Sequence, residues 1–337
     1  MLSRVADSIY WLSRYIERAE NTARFIDVNL RLALDLPPGT VEQWEPLVLI
    51  TAELPLFAER YDRPSRANII EFLTFDEANP SSIARYLAAA RDNARSVREA
   101  ISSEMWEQIN RFHHLFRTPA FRTLVAADPY TFFGRIRQES LLFAGTVDAT
   151  MSHDEGWHFA RLGRQLERAD ETSRLLDVKY FLLLPTVTDV GTPFDDLQWS
   201  ALLRSASGLE AFRKRHGPIA PARVAEFLLL DRDFPRSIRH CLREAQASLV
   251  AVSGSAPGTF RNGAEQRLGR LAAMFNYAEV SEIIAGGLHQ FLDQFQRDLN
   301  EVGDAIVAAF FALPAHPVIH NGHLPELAQL AGMQDQA

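Results

Sequence analysis

The sequence predicts an all-α protein, a duplicated helical-bundle unit with pseudo-two-fold internal symmetry. Three observations lead there. Residues 12–28, LSRYIERAENTARFIDV, return as LGRQLERADETSRLLDV at 162–178, with nine of seventeen positions identical, where unrelated segments would share roughly one or two. A second echo, EFLTFDEANPSSIARYL at 71–87 against EFLLLDRDFPRSIRHCL at 226–242, runs at an offset of 155 rather than 150. Apolar residues recur with a 3.6-residue period along most of the chain, while period-two alternation is scarce.

The elements follow in order. Residues 3–35 carry a helical apolar stripe with Ser3 as N-cap, and Pro37-Pro38 end it. Its companion spans 153–184, opened by Ser152-His153-Asp154-Glu155 read as a capping box and closed near Pro185. Further helices are expected near 41–60, 66–75, 81–116 and 129–151, then near 195–216, 221–230, 235–253, 261–286 and 289–312. Pro80-Ser81-Ser82 and Pro235-Arg236-Ser237 read as helix-start punctuation. Gln43-Trp44 matches Gln198-Trp199 at the later offset, so the five-residue difference falls in the linkers Leu36–Thr40 and Pro185–Pro193, where insertions cost little. The units are then 1–150 and 151–313, sharing one core, with 314–337 as an irregular tail.

Composition narrows the function classes. A net charge of −8 argues against a nucleic-acid binder. Lysine occurs only at 179 and 214, which disfavours Schiff-base or phosphate-loop lysines. Cys241 is the lone cysteine, so no intramolecular disulfide forms, consistent with a cytoplasmic location. Arg4 and Asp7 interrupt any signal-peptide core, and no run approaches a membrane span. Phosphate-loop, dinucleotide, zinc-protease and serine-hydrolase motifs are absent. His316, His320 and His323 cluster among prolines and a glycine without a helical face, so no metal site and no cofactor is expected. Cys241 sits in an ordinary amphipathic run and reads as a buried, inert thiol.

The repeated helix carries the chemistry. At about 100° per residue, Leu12, Tyr15, Ile16, Ala19, Ala23, Ile26 and Leu30 gather on one side. Arg14, Glu17, Arg18 and Asn21 gather opposite, with Arg24 at their edge. The second copy repeats this with Arg164, Glu167, Arg168 and Glu171, and Arg174 at the edge. Charges are kept more faithfully than the apolar stripe, in which Tyr15 becomes Gln165 and Phe25 becomes Leu175. Spacing pairs Arg24 with Glu20 and Asp27, Arg174 with Asp170 and Asp177, Arg14 with Glu17, and Arg164 with Glu167. Arg18 has no acid within one turn and needs an anion from elsewhere: another helix, the opposite copy's glutamate, or a bound ligand. An inter-helix ion-pair network, a ligand or catalytic site, and a solvated face all remain open. Arg14, Glu17 and Arg18 sum to +1 per copy, so a cleft near Arg18 and Arg168 is expected to accept a peptide, carboxylate or phosphate ligand. Filling of those arginines by Glu71, Glu226 or other acids is the competing outcome.

The start MLSRVADSIYWLSRYIERAENTARFIDV and the segment DEGWHFARLGRQLERADETSRLLDV together resemble the alpha-E domain family, bacterial all-helical proteins named for a Glu-Arg motif. The resemblance runs through nearly the whole chain and is weakest from Pro314 to Ala337. Its motif falls on Arg14, Glu17, Arg18, Ala19, Glu20 and Asn21, and on Arg164, Glu167, Arg168, Ala169 and Asp170. It implies partnership with a circularly permuted ATP-grasp protein, as neighbour or fusion, often beside a transglutaminase-like protein, and hence a peptide- or amide-forming pathway. Two functional classes follow: a non-catalytic helical partner that binds the ligase or presents its substrate, and an enzyme of that pathway using the Arg/Glu face. The missing nucleophile and metal signatures favour the first.

Overall fold

The computed structural model describes residues 1–35, 42–182, 193–256 and 258–312, and among them there are helices and no strands. The linker residues 36–41 and 183–192 and the tail from 313 onward, with its three histidines, lie outside the described residues.

The first half comprises α1 (Ser3–Asp35), α2 (Glu45–Ile50), α3 (Leu54–Arg60), α4 (Arg66–Thr74), α5 (Ile83–Ser96), α6 (Ser103–Arg117), α7 (Pro119–Ala127) and α8 (Pro129–Thr150). The second comprises α9 (Glu155–Leu182), α10 (Pro193–Ser205), α11 (Leu209–His216) and α12 (Pro221–Leu230). It continues with α13 (Ile238–Ser253), α14 (Gly263–Tyr277), α15 (Val280–Gly286) and α16 (Leu288–Ile306), which runs into a π-helical turn over Val307–Phe311.

Several expected long helices are interrupted, each for a local reason. Residues 41–60 divide at Ala52, in the left-handed region at φ 60°, before Pro55 in the first turn of α3. Residues 195–216 divide at Ser207, at φ 57°. These two left-handed non-glycine residues stand 155 apart, the offset of the second echo, so both copies make the same break. The segment 81–116 is cut by a short 3₁₀ turn at Arg98–Ala100 and restarts where the Ser102 hydroxyl accepts from Met105 N–H. Helix α7 was not expected at all; Thr118 caps it and Pro119 occupies its first turn. The segment 261–286 is cut at Ala278-Glu279. Caps at the long helices also differ from expectation. Ser3 lies inside α1, whose first carbonyl acceptor is Leu2. Asp154, not Ser152, caps α9 by accepting from Gly156 N–H, and Glu155 instead meets the Met1 amino group at 2.5 Å.

Helices α1 and α9 form the centre. Helix α1 packs on α5, α8 and α9, and α9 packs on α13, α16 and α1; α5 meets α6 as α13 meets α14, and α6 meets α8 as α14 meets α16. The exchange is crossed at one end, where α10 packs on α1 and α2 packs on α9. Buried side chains of both halves belong to one contiguous core, from Ile9, Ile16 and Ile26 through Leu162 and Leu176 to Phe275 and Phe295. Helix α1 keeps no fully solvated side over its middle turns, because Glu17, Glu20 and Asn21 are buried along with Ala19 and Ala23.

Candidate functional site: the inter-repeat arginine-glutamate clasp

The site exists because α1 and α9 touch backbone to side chain. A β-carbon placed on Gly163 would lie 2.4 Å from the Tyr10 carbonyl oxygen and 3.2 Å from Arg14 Cγ, so only glycine fits there. Ser13 holds the matching place on α1. That close crossing brings each helix's polar residues within reach of the other's.

The resulting contacts are reciprocal. Glu167 accepts from Arg14 Nε at 2.6 Å and from Arg18 Nε at 2.5 Å. Glu17 accepts from Arg168 Nε at 2.9 Å. Arginine and glutamate of each motif therefore pair with the opposite motif. Both carboxylates are buried, with side chains 4% and 1% exposed for Glu17 and Glu167, while Arg18 stays 25% exposed. Burial alone would raise the Glu17 carboxyl, but Arg168 and Arg236 outweigh it and hold it at about 2. Burial opposes ionisation of Glu167 as well, and Arg18 and Arg14 again win, keeping it below the ordinary carboxylate range. Both stay charged at neutral pH, locked as acceptors rather than poised for proton transfer.

Around this pair the copies diverge. Arg14 also donates to the Tyr10 hydroxyl at 3.0 Å and lies 4.8 Å from the Trp11 ring centroid. Arg18 sits between Trp11 and Tyr86, 5.8 Å from each centroid, and its terminal nitrogens meet no acceptor among the described residues. Its counterpart Arg168 has the buried Cys241 nearby, at the position that matches Tyr86. On that second side Arg236 enters from the α12–α13 loop: it stands 2.7 Å from Glu17, 2.8 Å from Glu20, and donates to Asn21 Oδ1 at 2.8 Å. Thr172 anchors the loop by donating to the Arg236 carbonyl at 2.9 Å. With Glu17 so occupied, Arg164 does not repeat Arg14's bond. It reaches Asp148 at 3.5 Å, and its Nε is buried without a partner. Burial and the neighbouring Arg168 lower its pKa, the opposite of Arg14.

Glu171, which replaces Asn21 in the second copy, has no such arginine. The position matching Arg236 is Ser81, whose hydroxyl donates to Glu53. One Glu171 carboxylate oxygen is buried without a partner. Burial, then repulsion from Glu167 and Asp170, pushes the carboxyl up to about 8 despite Arg174 and Arg18.

The sequence-predicted residues come together as follows. Arg14, Glu17, Arg18, Asn21, Glu167 and Arg168 meet in one cluster, with Arg164 at its margin. The local pairs Arg14–Glu17 and Arg164–Glu167 do not form, because both glutamates turn across the helix crossing. Arg24 bonds Glu20 and Arg174 bonds Asp170 as the spacing requires, but Asp27 goes to Arg137 at 3.1 Å and Arg31 at 3.3 Å, and Asp177 goes to His289. The acids that fill Arg18 and Arg168 are not Glu71 or Glu226; Glu71 is held by Arg122 at 2.8 Å. Sequence reading missed Arg236, whose signal was its mismatch with Ser81 inside an otherwise faithful echo. Cys241 is fully buried, and burial drives its thiol up to about 12, outside useful nucleophilic range. Among the described residues no group of three histidine, cysteine or acidic side chains is placed to hold a metal ion, and no helix is long and apolar enough to cross a membrane.

Comparison with known proteins agrees with the motif. The Alpha-E family model, described as a predicted alpha-helical domain with a conserved ER motif, matches residues 1–311. Uncharacterized proteins of Mycobacterium bovis and Mycobacterium tuberculosis are 24% identical over 340 residues, covering 92% of this chain and 37% of their own length. The chain thus spans little more than a third of the curated relatives it matches. No solved structure matches it.

Proposed function

Because the chain belongs to the Alpha-E family, we propose that it is a non-catalytic helical partner, or substrate-presenting protein, in an ATP-grasp-linked pathway that forms peptide or amide bonds. The observation that carries this reading is the reciprocal clasp. The two motif glutamates are each consumed by two arginines and held as carboxylates, so the motif joins two halves of a frame rather than supplying a reactive group. The relatives' extra length within one chain accords with a domain that works joined to, or beside, further domains. A circularly permuted ATP-grasp protein and a transglutaminase-like protein are the partners proposed.

A second reading rests on Glu171. A carboxyl held near 8 beside Arg18 is a proton donor at neutral pH, which an enzyme acting on a carboxylate- or phosphate-bearing substrate through the Arg/Glu face would use. Co-expression of tagged full-length chain with the ATP-grasp protein of the same cell separates the two. The partner reading expects a stable complex whose ATP-dependent amide formation survives Glu171→Gln. Loss of amide formation in that variant, with the complex intact, supports the enzymatic reading, and failure of the two proteins to associate contradicts the partnership.

A further inference from the structure

The duplication supplies an internal reference for a cleft outside the clasp. In the first half, between the α4–α5 turn and α6–α7, a cleft of about 250 Å³ is lined by Phe75, Glu77, Ala84, Phe116, Arg117 and Arg122. It is internally neutralised: Glu77 lies 4.0 Å from Arg117, and Arg122 bonds Glu71 at 2.8 Å while covering the Phe75 ring. At the 155 offset Glu77, Ala84 and Ala88 become Arg232, Arg239 and Arg243. Those three arginines, with Asn276 and Tyr277, line a cleft of about 370 Å³ in the second half, and no carboxylate is among the lining residues.

Each arginine is differently prepared. Arg239 is fixed by donating to the Asn276 side chain at 3.2 Å and its carbonyl at 3.0 Å. Arg243 lies 3.1 Å from His240 Nδ1, which donates to the Arg232 carbonyl, and meets Glu244 at 3.0 Å, but Arg161 claims the same glutamate. Arg232 is exposed, and its guanidinium has no hydrogen bond or ion pair among the described residues. Burial, then Arg232 and Arg243, depress the Arg239 pKa, as expected of a guanidinium beside two others with no carboxylate of its own. Tyr277 stands beside them 88% exposed, an open aromatic face at the mouth. Three cationic forks around one cleft, in a protein of net charge −8, suit a dianion better than a single carboxylate.

We infer that this second-half cleft binds a phosphomonoester, its phosphate held by Arg232, Arg239 and Arg243 and its organic part against Tyr277. The adjoining cleft, which shares Arg239, is lined by Glu226, Asp231 and Glu279 and would receive donor groups of that organic part. Isothermal titration of the full chain at fixed ionic strength tests it, with adenosine 5′-monophosphate, inorganic phosphate and adenosine as probes. Both phosphates are expected to bind and adenosine is not. Arg232→Glu, which restores the first-half residue, and Arg243→Ala should each weaken the monophosphate by about tenfold or more. Arg117→Ala in the first-half cleft should leave binding unchanged. Both second-half positions are exposed, and unchanged thermal melts verify folding of the variants. The inference fails if the monophosphate gives no binding heat, if adenosine matches it, or if either second-half variant binds it as the wild type does.

Discussion

On one side of the α1–α9 crossing, Glu167 is held by two arginines of a single helix, Arg14 and Arg18, framed by Tyr10, Trp11 and Tyr86. On the other, Glu17 is held by Arg168 from the facing helix and Arg236 from a loop, with Arg164 displaced toward Asp148. The shared half of each arrangement is the arginine-to-opposite-glutamate bond. The unshared half is where the copies differ in charge: an extra arginine at 236 against Ser81, and Asn21 against Glu171. Duplicated sequence has thus kept the contact that ties the copies and changed what surrounds it.

Removing the glutamates tests that comparison hardest. Glu167→Ala strands both Arg14 and Arg18, whereas after Glu17→Ala Arg236 keeps Glu20 at 2.8 Å and Asn21. The expected cost is about 5 kcal/mol for Glu167→Ala and about 3 kcal/mol for Glu17→Ala, the range for a broken buried pair. Chemical denaturation measures both; equal costs of a few tenths of a kcal/mol would mean that solvent replaces the arginines' partners.

Next is the crossing itself. Gly163→Ala pushes a methyl into the Tyr10 carbonyl and should cost about 1–3 kcal/mol despite alanine's better helix propensity. Ser13→Ala, at the matching site where a β-carbon already fits, should stay within about 0.5 kcal/mol. A neutral Gly163→Ala would mean that the helices can separate at this crossing without cost.

These contrasts also mark what the sequence discloses. The helix pair, the packing stripe and the cluster of Arg14, Glu17, Arg18, Glu167 and Arg168 were legible, because repetition of charges where packing does not demand them points to a shared contact. Which partner each glutamate takes was not. An i,i+3 spacing favours Arg14–Glu17 on an isolated helix, and only the close passage over Gly163 brings Glu167 nearer. Arg236 was hidden for the converse reason: comparing copies by identity passes over the positions that differ. The missed breaks at Ala52, Ser102 and Ser207 and the missed helix α7 depend on single caps or one left-handed residue, too short a signal to stand out within a continuing apolar period.

The charge difference between the sides predicts opposite pH dependences. Glu17 falls from an ordinary 4.5 to about 2 on folding, so its contribution is present above 4.5 and lost as the pH falls toward 2. Glu171 rises from 4.5 to about 8, so its contribution is present below 4.5 and lost as the pH rises to about 8. Thermal melts across pH should therefore show Glu171→Gln abolishing the decline between 4.5 and 8 while leaving the acid limb in place. A variant whose alkaline limb matches wild type would place the proton elsewhere. The smallest effect belongs to the matched left-handed residues: Ala52→Gly and Ser207→Gly should each stabilise by about 1 kcal/mol or less, and alike. Opposite signs would mean that the two breaks are not equivalent.

The central claim is that the motif's arginine and glutamate work across the copies. Two double-mutant cycles measured by denaturation, Arg18→Ala with Glu167→Ala and Arg168→Ala with Glu17→Ala, test it most directly. Coupling of about 1–3 kcal/mol is expected in both cycles. Additive costs in either cycle, with coupling appearing instead between Arg14 and Glu17 or between Arg164 and Glu167 on the same helix, would contradict it.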